Sequence, residues 1–418
     1  MNIWYLSHYA GGPGIGKAHR AFHLARAWAA LGHTATIFPA RYHHLLEKDA
    51  PLPDEIDISG VRYAPLDARR YTGNDVFRLL NIFDYCRSAW RLARTGEARF
   101  GRPDAIIVSS PHPFAIYPAA RLAKKFGAKL VFEVRDLWPL SITEINGSSR
   151  WHPFVLLTGL TERFAYRCAN LVASQLGAAE PLMRERGLKP GKFVFVPNGI
   201  DPSPEPTEAS SSVSETALAA EAQISAWKRE GRLIVIHPGS QGAPNALDRL
   251  LDAVALLKSS GQEERFGIIL LGHGAQTEAL KIQCAKLGLS SVAFFGSVPK
   301  GDALSLTALA DIGYAGARDH AAVYRYGISF NKIMDFMQAG LPVLLPLTAA
   351  GDPVTASGCG IVTGNDSPEA IADALKAFGK MTAEERVSMG EKGRSLALSE
   401  YDYRQIARRY AEAIANSN

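Results

Sequence analysis

The sequence predicts an α/β protein made of two doubly wound domains, and three observations lead to that prediction. The chain has 418 residues and is 47% hydrophobic, which suits two cores of about 200 residues each better than one. Short aliphatic runs alternate with longer segments of helical period, which is typical of parallel sheets covered by helices. A polar stretch at 201–230, rich in Pro, Ser, Glu and Ala, interrupts the alternation, which then starts again.

The first half of the chain shows the alternation most clearly. Strand, helix and strand are predicted at 3–7, 17–31 and 34–38, and Gly32 directly after the helical segment is a stop signal. Further strands are predicted at 105–109, 129–134, 171–173 and 193–196. We therefore expect a first domain over 1–200.

The second half repeats the pattern. Its predicted strands lie at 233–236, 266–271, 292–295 and 341–345, and its predicted helices lie near 244–259, 275–287 and 329–339. We expect 201–230 to be a linker, 231–400 a second domain and 401–418 a final helical segment. Open α/β sheets bind ligands beyond the carboxyl ends of their strands, so we expect the two domains to turn those ends towards a central cleft.

Composition and charge exclude several classes of protein. No uncharged apolar run approaches the roughly 18 residues of a spanning helix, and no secretory signal is recognisable, so we expect a cytoplasmic protein with at most peripheral membrane contact. The four cysteines form no Cys-x-x-Cys pair, which argues against a disulfide framework or a zinc site. The net charge is +5, but no basic and aromatic stripe matches a nucleic-acid-binding motif, so we expect no nucleic acid partner.

A glycine-rich loop follows the first predicted strand, with the sequence GGPGIGK at 11–17. Glycines such as Gly14 and Gly16 let backbone amides approach a ligand, and the helix start beyond them favours an anion. The loop is not a Walker motif, because Ala18 occupies the position of the magnesium-binding hydroxyl. A ligand contact and a mere tight turn from strand to helix both remain open; the donor-site role of Gly14 and Gly16 depends on the family resemblance described below.

The segment 327–340 is the strongest candidate site in the second half. Ser329 and Asn331 are predicted to open a helix whose unpaired amides suit a diphosphate, and Lys332 adds a cation there. Asp335, about one turn later, can accept hydrogen bonds from two ribose hydroxyls. The alternative is an amphipathic core helix on which Lys332 and Asp335 are simply solvated.

Two motifs together resemble a known family. The first domain is predicted to end in VPNGID at 196–201. The second contains Ser329-Phe330-Asn331-Lys332, then Asp335, then AGLPV at 339–343. Their order and spacing resemble the retaining family-4 glycosyltransferases, whose fold is the two-Rossmann-domain type called GT-B. The match is closest to bacterial surface-polysaccharide transferases such as the N-acetyl-L-fucosamine transferases of O-antigen assembly.

The resemblance implies a donor site. In that family a nucleotide-sugar binds mainly to the C-terminal domain, no metal or other cofactor is required, and the final helix packs back on the N-terminal domain. It implies that Asp335 is the ribose carboxylate and that the amides of Ser329 to Asn331 face the diphosphate. The segment Gly296, Ser297 and Val298 resembles the strand end that meets the base.

The sequence departs from the family pattern at two places. Gly327 stands where many members have the first of two glutamates, so a carboxylate near the donor sugar is missing. The usual Arg and Lys at the start of the second domain are replaced by a segment containing Gly239 and Ser240. Neutralising the diphosphate would then fall to Lys332 and Arg325, together with helix dipoles.

A polar group follows the strand predicted at 129–134. Arg135 can hold a phosphate or a sugar hydroxyl, and Asp136 can orient or deprotonate an acceptor hydroxyl. We expect Arg135, Asp136 and Lys332 to be the catalytic residues, and His112 and Trp138 to contact the acceptor. The alternative for this group is a structural ion pair beside a buried Trp138.

The segment 77–94 mixes aromatic and aliphatic residues with four arginines, which suits a membrane interface. A helix that covers the first domain's core explains the same residues. If the membrane interpretation holds, a lipid-linked acceptor follows naturally.

The function expected from the sequence is retaining transfer of a sugar from a nucleotide diphosphate sugar, with uridine as the nucleotide, to a glycan or lipid-linked acceptor in surface polysaccharide assembly. Two alternatives stay open at this stage. One is a UDP-sugar 2-epimerase of the same architecture, and the other is a catalytically silent nucleotide-sugar binding protein.

Overall fold

The structure is a computed structural model that describes residues 1–47, 49–73, 76–145, 147–202 and 213–417. The chain forms two compact units. The first contains the N-terminal part of the chain together with the last helix, and the second ends at Asp402. The boundary between 206 and 207 falls in the stretch 203–212, outside the described residues.

The first unit is built on an eight-stranded sheet in the order β3-β4-β2-β1-β5-β6-β7-β8. All neighbours are parallel except β3 and β4. The strands are β1 Asn2–Ser7, β2 Thr34–Phe38, β3 Ile56–Ile58, β4 Val61–Tyr63, β5 Ala105–Ser109, β6 Lys129–Val134, β7 Leu171–Ser174 and β8 Phe193–Phe195. Its helices up to the boundary are α1 Arg20–Ala30, α2 Val76–Phe100, α3 Ile116–Phe126, α4 Leu140–Glu144, α5 Pro153–Cys168 and α6 Glu180–Glu185.

Successive residues of each strand point to opposite faces of the sheet, so the first unit has one layer of core on each face. Tyr5 lies in a cluster with Trp28 of α1, whereas its neighbour Trp4 packs edge-on against Phe100 of α2 and Phe126 of α3. Phe132 of β6 contacts Tyr166 of α5 in the same way. Helices α2, α3 and α5 therefore cover the Trp4 face of the sheet.

The second unit contains a six-stranded, all-parallel sheet in the order β11-β10-β9-β12-β13-β14. Its strands are β9 Leu233–Pro238, β10 Phe266–Leu271, β11 Val292–Phe295, β12 Ile312–Tyr314, β13 Val343–Leu345 and β14 Gly360–Val362. Its helices are α7 Glu215–Arg229, α8 Leu247–Ser259, α9 Thr277–Leu287, α10 Lys300–Ala308, α11 Ala321–Tyr324, α12 Asn331–Gln338, α13 Pro353–Ser357, α14 Pro368–Lys380 and α15 Ala383–Glu400.

The last helix, α16 Tyr403–Asn416, belongs to the first unit, where it packs on α1. Trp28 donates its indole N–H to the carbonyl of Ala407 at 2.9 Å, and its ring lies 5.6 Å from that of Tyr410. The first unit is thus made from two separate stretches of the chain.

The stretch interpreted as a linker is partly helical. Residues 203–212 lie outside the described part, but 215–229 form α7, and the Ser214 side chain accepts a hydrogen bond from the amide of Ala217 as its N-cap. Ile224 and Trp227 are among its buried residues, and a Cβ at Gly267 of β10 would lie 2.3 Å from the Trp227 ring. The polar composition therefore conceals a helix with a narrow buried face, and the linker prediction is wrong for this part.

Other boundaries shift by a few residues for local reasons. Helix α1 begins at Arg20 and not at 17, because the chain between Lys17 and the helix is held by the preceding loop. Strand β13 begins at Val343 because Pro342 has no amide to donate. The short strands β12 and β14 were not predicted, since a strand of three residues is too short to show a recognisable hydrophobic pattern. No described helix is long and apolar enough to cross a membrane.

Candidate functional site

The carboxyl edge of the second sheet is where β9, β10 and β12 end side by side, and their loops hold one another closely. Gly239 donates its amide to the carbonyl of Leu271 at 2.8 Å, and a Cβ at Gly272 would lie 2.0 Å from the Gly239 carbonyl oxygen. A Cβ at Gly274 would likewise lie within 2.5 Å of the Gln241 backbone. Only glycine fits at both places, so the edge is a tightly fixed backbone surface.

Gly239 and Ser240 lie on the outside of this surface. Gly239 has φ +130, and no other atom lies within 4 Å of the position its Cβ would take. Ser240 is exposed, and its carbonyl accepts a hydrogen bond from the Asn245 side chain at 2.7 Å. The two predicted donor contacts are therefore accessible from solvent.

Lys332 lies in the first turn of α12 and reaches back to this edge. Its ammonium donates to Asn245 Oδ1 at 2.5 Å and to the carbonyl of Gly316 at 2.9 Å. Among the described residues it forms no salt bridge, and burial lowers its pKa to about 7. The site thus holds a half-buried amine whose hydrogen-bond acceptors are all uncharged.

His237, at the end of β9, lies in the same environment as Lys332. Its Nδ1 lies 3.1 Å from the carbonyl oxygen of Tyr314, and no described atom pairs with its buried Nε2. Burial first, and then the charge of Lys332, lower its pKa to about 3. His237 is therefore neutral and adds no positive charge beside Lys332.

Helix α12 starts without a side-chain cap. Its N-cap is Phe330, whose side chain accepts no hydrogen bond, so Ser329 lies before the helix that it was predicted to open. The exposed Asn331 is the first helical residue. Since the first amides of a helix have no intrahelical acceptor, this start can bind an anion next to the Lys332 ammonium.

Asp335 lies on α12 and meets a partner that the sequence did not reveal. Its Oδ2 is 2.5 Å from the Nζ of Lys300, and the two side chains are 21% and 42% exposed. Lys300 opens α10 directly after the segment containing Gly296, Ser297 and Val298. Gly296 and Ser297 are exposed, so the predicted ribose and base contacts are neighbours in the structure.

The other cations of the second unit are placed differently from the expectation. Arg325 is exposed and stacks on the adjacent Tyr326 ring at 4.9 Å; in the described part of the chain no contact joins it to Lys332. Arg318 is bound to Asp248 at 2.8 Å and to Asp366 at 3.4 Å. The guanidinium of Arg318 is already neutralised, whereas Lys332 forms no salt bridge with any described residue.

In the first unit the carboxyl edge is organised by a buried ion pair that sequence reasoning missed. Arg20 Nη2 lies 3.1 Å from Glu133 Oε2, and Tyr5 and Ser109 donate their hydroxyls to Oε1 at 2.6 and 2.7 Å. Burial alone would raise the pKa of Glu133, but the Arg20 charge and these hydrogen bonds outweigh it and lower that pKa. No local pattern could reveal a pair separated by more than a hundred residues.

The same arginine anchors the VPNGID turn. Arg20 donates to the carbonyl oxygens of Val196 at 2.8 Å and Pro197 at 2.5 Å, and to Asn198 Oδ1 at 3.2 Å. At the end of the turn Asp201 pairs with His23 at 3.1 Å and with Arg26. In this structure the motif fixes the end of β8 to α1.

Arg135 and Asp136 follow β6, and their amides both donate to Ser110 Oγ, at 2.8 and 3.4 Å. They form no salt bridge with each other within the described structure, and Trp138 is only half-buried, so the ion-pair alternative is not what the structure contains. Asp136 and Trp138 share a small pocket with Glu162. Burial of its carboxylate beside this pocket raises the pKa of Asp136 against the opposing charge of Arg135, although the residue as a whole is exposed.

His112 is buried, which does not suit the predicted direct contact with an acceptor. Its Nε2 lies 2.8 Å from His8 Nδ1, and His8 Nε2 lies 2.7 Å from Asn81 Oδ1. Burial first, and then the charge of Arg78, lower the pKa of His112 to about 3, so it is neutral. His112 holds the chain after β5 in place and is 1% exposed.

The glycine loop at 11–17 is closed on itself. Gly12 and Gly16 exchange both amide hydrogen bonds at 3.1 Å, and Lys17 donates to the carbonyl of Leu45 at 3.0 Å. A Cβ at Gly16 would lie 2.6 Å from that same carbonyl oxygen, whereas Gly14, at φ +71, faces open space. The structure favours the tight-turn alternative, because the Gly16 amide is already used.

Comparison with known proteins agrees with this architecture. Residues 16–199 match the glycosyl transferase 4-like domain, and residues 232–379 match the glycosyl transferases group 1 domain. No curated protein sequence matches the chain.

Several solved structures share the fold. Sucrose-phosphate synthase from Thermosynechococcus elongatus has a TM-score of 0.73 at 16% identity, over 98% of this chain and 97% of that one. WaaG, a glycosyltransferase involved in lipopolysaccharide biosynthesis, has a TM-score of 0.67 at 17% identity over 100% of both chains. HepE of Anabaena, solved with UDP and glucose, has a TM-score of 0.66 at 15% identity over 99% of both chains.

These matches do not favour the epimerase or the silent binding protein. The chain is a glycosyltransferase of the GT-B fold, and its two halves match the glycosyl transferase 4-like and the group 1 domain models.

Proposed function

We propose that this glycosyltransferase transfers a sugar from a UDP-linked donor, with retention of configuration, to a glycan or lipid-linked acceptor in surface polysaccharide assembly. The observation that carries the proposal is Lys332, an amine at the carboxyl edge of the second sheet with no anionic partner among the described residues. The solved complexes of HepE with UDP and UDP-glucose, and the lipopolysaccharide role of WaaG, support the choice of donor and pathway. The cytoplasmic location expected from the sequence is part of the proposal.

The diphosphate is assigned to the start of α12. The unpaired amides near Asn331 and the exposed Ser240 offer donors, and Lys332 supplies the positive charge. Gly239 only leaves room for a ligand beside the backbone, because its amide already donates to the carbonyl of Leu271. A nearby anion favours the protonated amine, so binding raises the pKa of Lys332 from about 7 and the site takes up a proton. Arg325 keeps only a peripheral part in this proposal, since its side chain is exposed.

The nucleoside is assigned to Asp335 and to the segment Gly296, Ser297 and Val298. One carboxylate oxygen of Asp335 is held by Lys300, which leaves the other for a ribose hydroxyl. The exposed backbone of Gly296 and Ser297 can hydrogen-bond the edge of the base. Lys300 thereby orients the carboxylate and at the same time competes for it.

The chemical step needs charge stabilisation more than a reactive side chain. The bond between the anomeric carbon and the diphosphate oxygen breaks, and the acceptor oxygen bonds to the same face of that carbon. Lys332 and the helix amides stabilise the negative charge on the leaving diphosphate. In the first unit Asp136 is the proposed group that orients the acceptor hydroxyl and receives its proton, with Arg135 holding the acceptor and Trp138 packing on it.

Replacement of Lys332 by Ala tests the proposal. We expect kcat/KM for the UDP-sugar to fall by about a hundredfold or more, the loss typical of one donor to a developing charge. The control is Lys286→Ala, an exposed lysine of the same unit, which leaves kcat/KM unchanged. A change below about threefold in the Lys332 variant, by the same standard, removes this residue from the leaving-group role.

A further inference from the structure

The outer surface of the three helices that cover the Trp4 face of the first sheet is unusually apolar. Phe83 and Trp90 of α2 are 62% and 45% exposed, and Leu160 of α5 is 63% exposed. On α5, Leu157 and Phe164 flank Leu160 at spacings of three and four residues, so the three side chains share one face of the helix. We call the surface formed by α2, α3 and α5 the helical face.

The helical face is continuous from α2 to α5. The Arg121 guanidinium of α3 lies 5.1 Å from the centroid of the Trp90 ring, and one turn earlier Tyr117 stacks on Phe164 at 4.9 Å. The Tyr117 hydroxyl is also 3.2 Å from Thr161 Oγ1. Aromatic and cationic groups are thus in contact across all three helices.

The charge of this face is strongly positive. The three helices contain ten Arg and Lys residues and three Asp and Glu residues. Two of the three acids are already paired, Asp84 with Arg69 at 2.6 Å and Glu162 with Arg186 at 2.9 Å. The exposed arginines without a salt bridge in the described structure include Arg87, Arg91, Arg94, Arg121 and Arg163.

We propose that the helical face docks the enzyme on a bilayer that contains anionic lipid. Exposed Phe, Trp and Leu side chains enter the headgroup region, while arginines beside them pair with lipid phosphates. A lipid fits better than a protein partner, because the apolar and cationic side chains are intermixed across three helices and are not arranged as an apolar core with a polar rim. The contact is peripheral, and it goes beyond the proposed function because it uses none of the donor-site residues.

Sedimentation of the 418-residue chain with vesicles tests this inference. We expect binding to vesicles that contain phosphatidylglycerol, with weak binding to phosphatidylcholine alone and a loss of binding as salt is raised. The variant Arg87→Glu with Arg163→Glu should weaken binding by about fivefold or more per residue. Its matched control is Lys286→Glu with Lys392→Glu, two exposed lysines of the second unit, which should leave binding unchanged.

The apolar contribution is tested separately. Phe83→Ser with Leu160→Ser should weaken binding to the same vesicles, whereas Ile282→Ser with Leu398→Ser on the second unit should not. Thermal melts confirm that each variant is folded. Equal binding to neutral and anionic vesicles, or no response to either pair of face variants, overturns the inference. So does a change in oligomeric state, measured by sedimentation equilibrium, without a change in vesicle binding, since the face would then be a protein interface.

The two proposals fail in different ways. Loss of vesicle binding with unchanged transfer to a water-soluble acceptor supports the helical face and leaves the donor site untouched. Loss of transfer in the Lys332 variant with unchanged vesicle binding supports the donor site alone.

Discussion

The carboxyl edge of each sheet holds a charged side chain, but among the described residues only the one in the first unit has a counter-charge beside it. In the first unit Arg20 and Glu133 neutralise each other, and nearby hydroxyls and carbonyls complete their hydrogen bonds. In the second unit the half-buried Lys332 donates only to uncharged oxygens of the described residues, and burial lowers its pKa to about 7. A satisfied buried pair serves to hold a structure, whereas a partly buried cation without a counter-charge is a candidate for binding an anionic ligand.

The largest expected effect is on the stability of the first unit. Glu133→Ala leaves Arg20 buried without its counter-charge, so the free energy of unfolding should fall by about 3–5 kcal/mol in denaturant titrations. The control Glu412→Ala, at an exposed position on α16, should change it by less than about 0.5 kcal/mol.

Lys332→Ala is the matched variant in the other unit. It removes an amine that has no counter-ion, so its stability loss should stay below about 1 kcal/mol while transfer collapses. If the Glu133 and Lys332 variants lower the free energy of unfolding equally, the proposed difference between the two sheet edges is wrong.

The second effect is on the pH dependence of UDP binding. Because the folded-state pKa of Lys332 lies near 7, the amine is charged below that pH and loses its proton above it. UDP affinity should therefore fall as the pH rises above about 7, by at most about tenfold per pH unit, and binding near pH 8 should take up a proton.

Calorimetry in buffers of different ionisation enthalpy measures that proton uptake directly. The Lys332→Met variant is the control and should show no uptake from this source. Affinity that stays flat between pH 6 and pH 9 would contradict a role for this amine as the diphosphate's partner.

In the absence of ligand, the stability of the protein should depend on pH with the opposite sign to that of UDP affinity. Burial lowers the pKa of Lys332 below its unfolded value, so between about 7 and 10 the unfolded chain binds more protons and the free energy of unfolding rises with pH in that window. The paired edge of the first unit has no such dependence there, since the pKa of Glu133 lies below its ordinary value.

The smallest effect concerns Lys300. Lys300→Ala frees Asp335 from a partly exposed pair of modest strength, so UDP affinity should change by about threefold. The change should vanish with 2′,3′-dideoxy-UDP, because the carboxylate then has no hydroxyl to bind.

Asp335→Asn is the companion variant for that measurement. If it weakens UDP binding and Lys300→Ala does nothing, the ribose assignment stands and the role of Lys300 falls. If Asp335→Asn has no effect on UDP, the ribose assignment itself is wrong.

The strands that sequence reasoning placed well are those buried on both sides. At 105–109 and 266–271 the predicted and observed bounds are identical, because a central parallel strand is a continuous apolar run. The fold class followed from these runs and from the helical segments between them. Helix α7 escaped because its buried face is limited to small residues and two larger ones, although Ser214 before an Ala-rich stretch was a usable start signal.

The site was less predictable than the fold. Residue types at 329–335 indicated a diphosphate and a ribose, but the Lys300 partner of Asp335 and the neutral surroundings of Lys332 depend on loops far apart in sequence. His112 followed a strand as predicted, yet burial beside His8 was decided by side chains from other elements. The local sequence pattern indicates which side chains are candidates for a site. The tertiary contacts determine which of these side chains lack a counter-charge.

The return of α16 to the first unit has a consequence for synthesis on the ribosome. Trp28 is made early, whereas the Ala407 carbonyl and the Tyr410 ring that cover it are made only after the whole of the second unit. The later-made unit is therefore the one that can complete its fold first, while the earlier-made half waits with an apolar surface uncovered. A nascent chain stalled before 403 would expose that surface to chaperones.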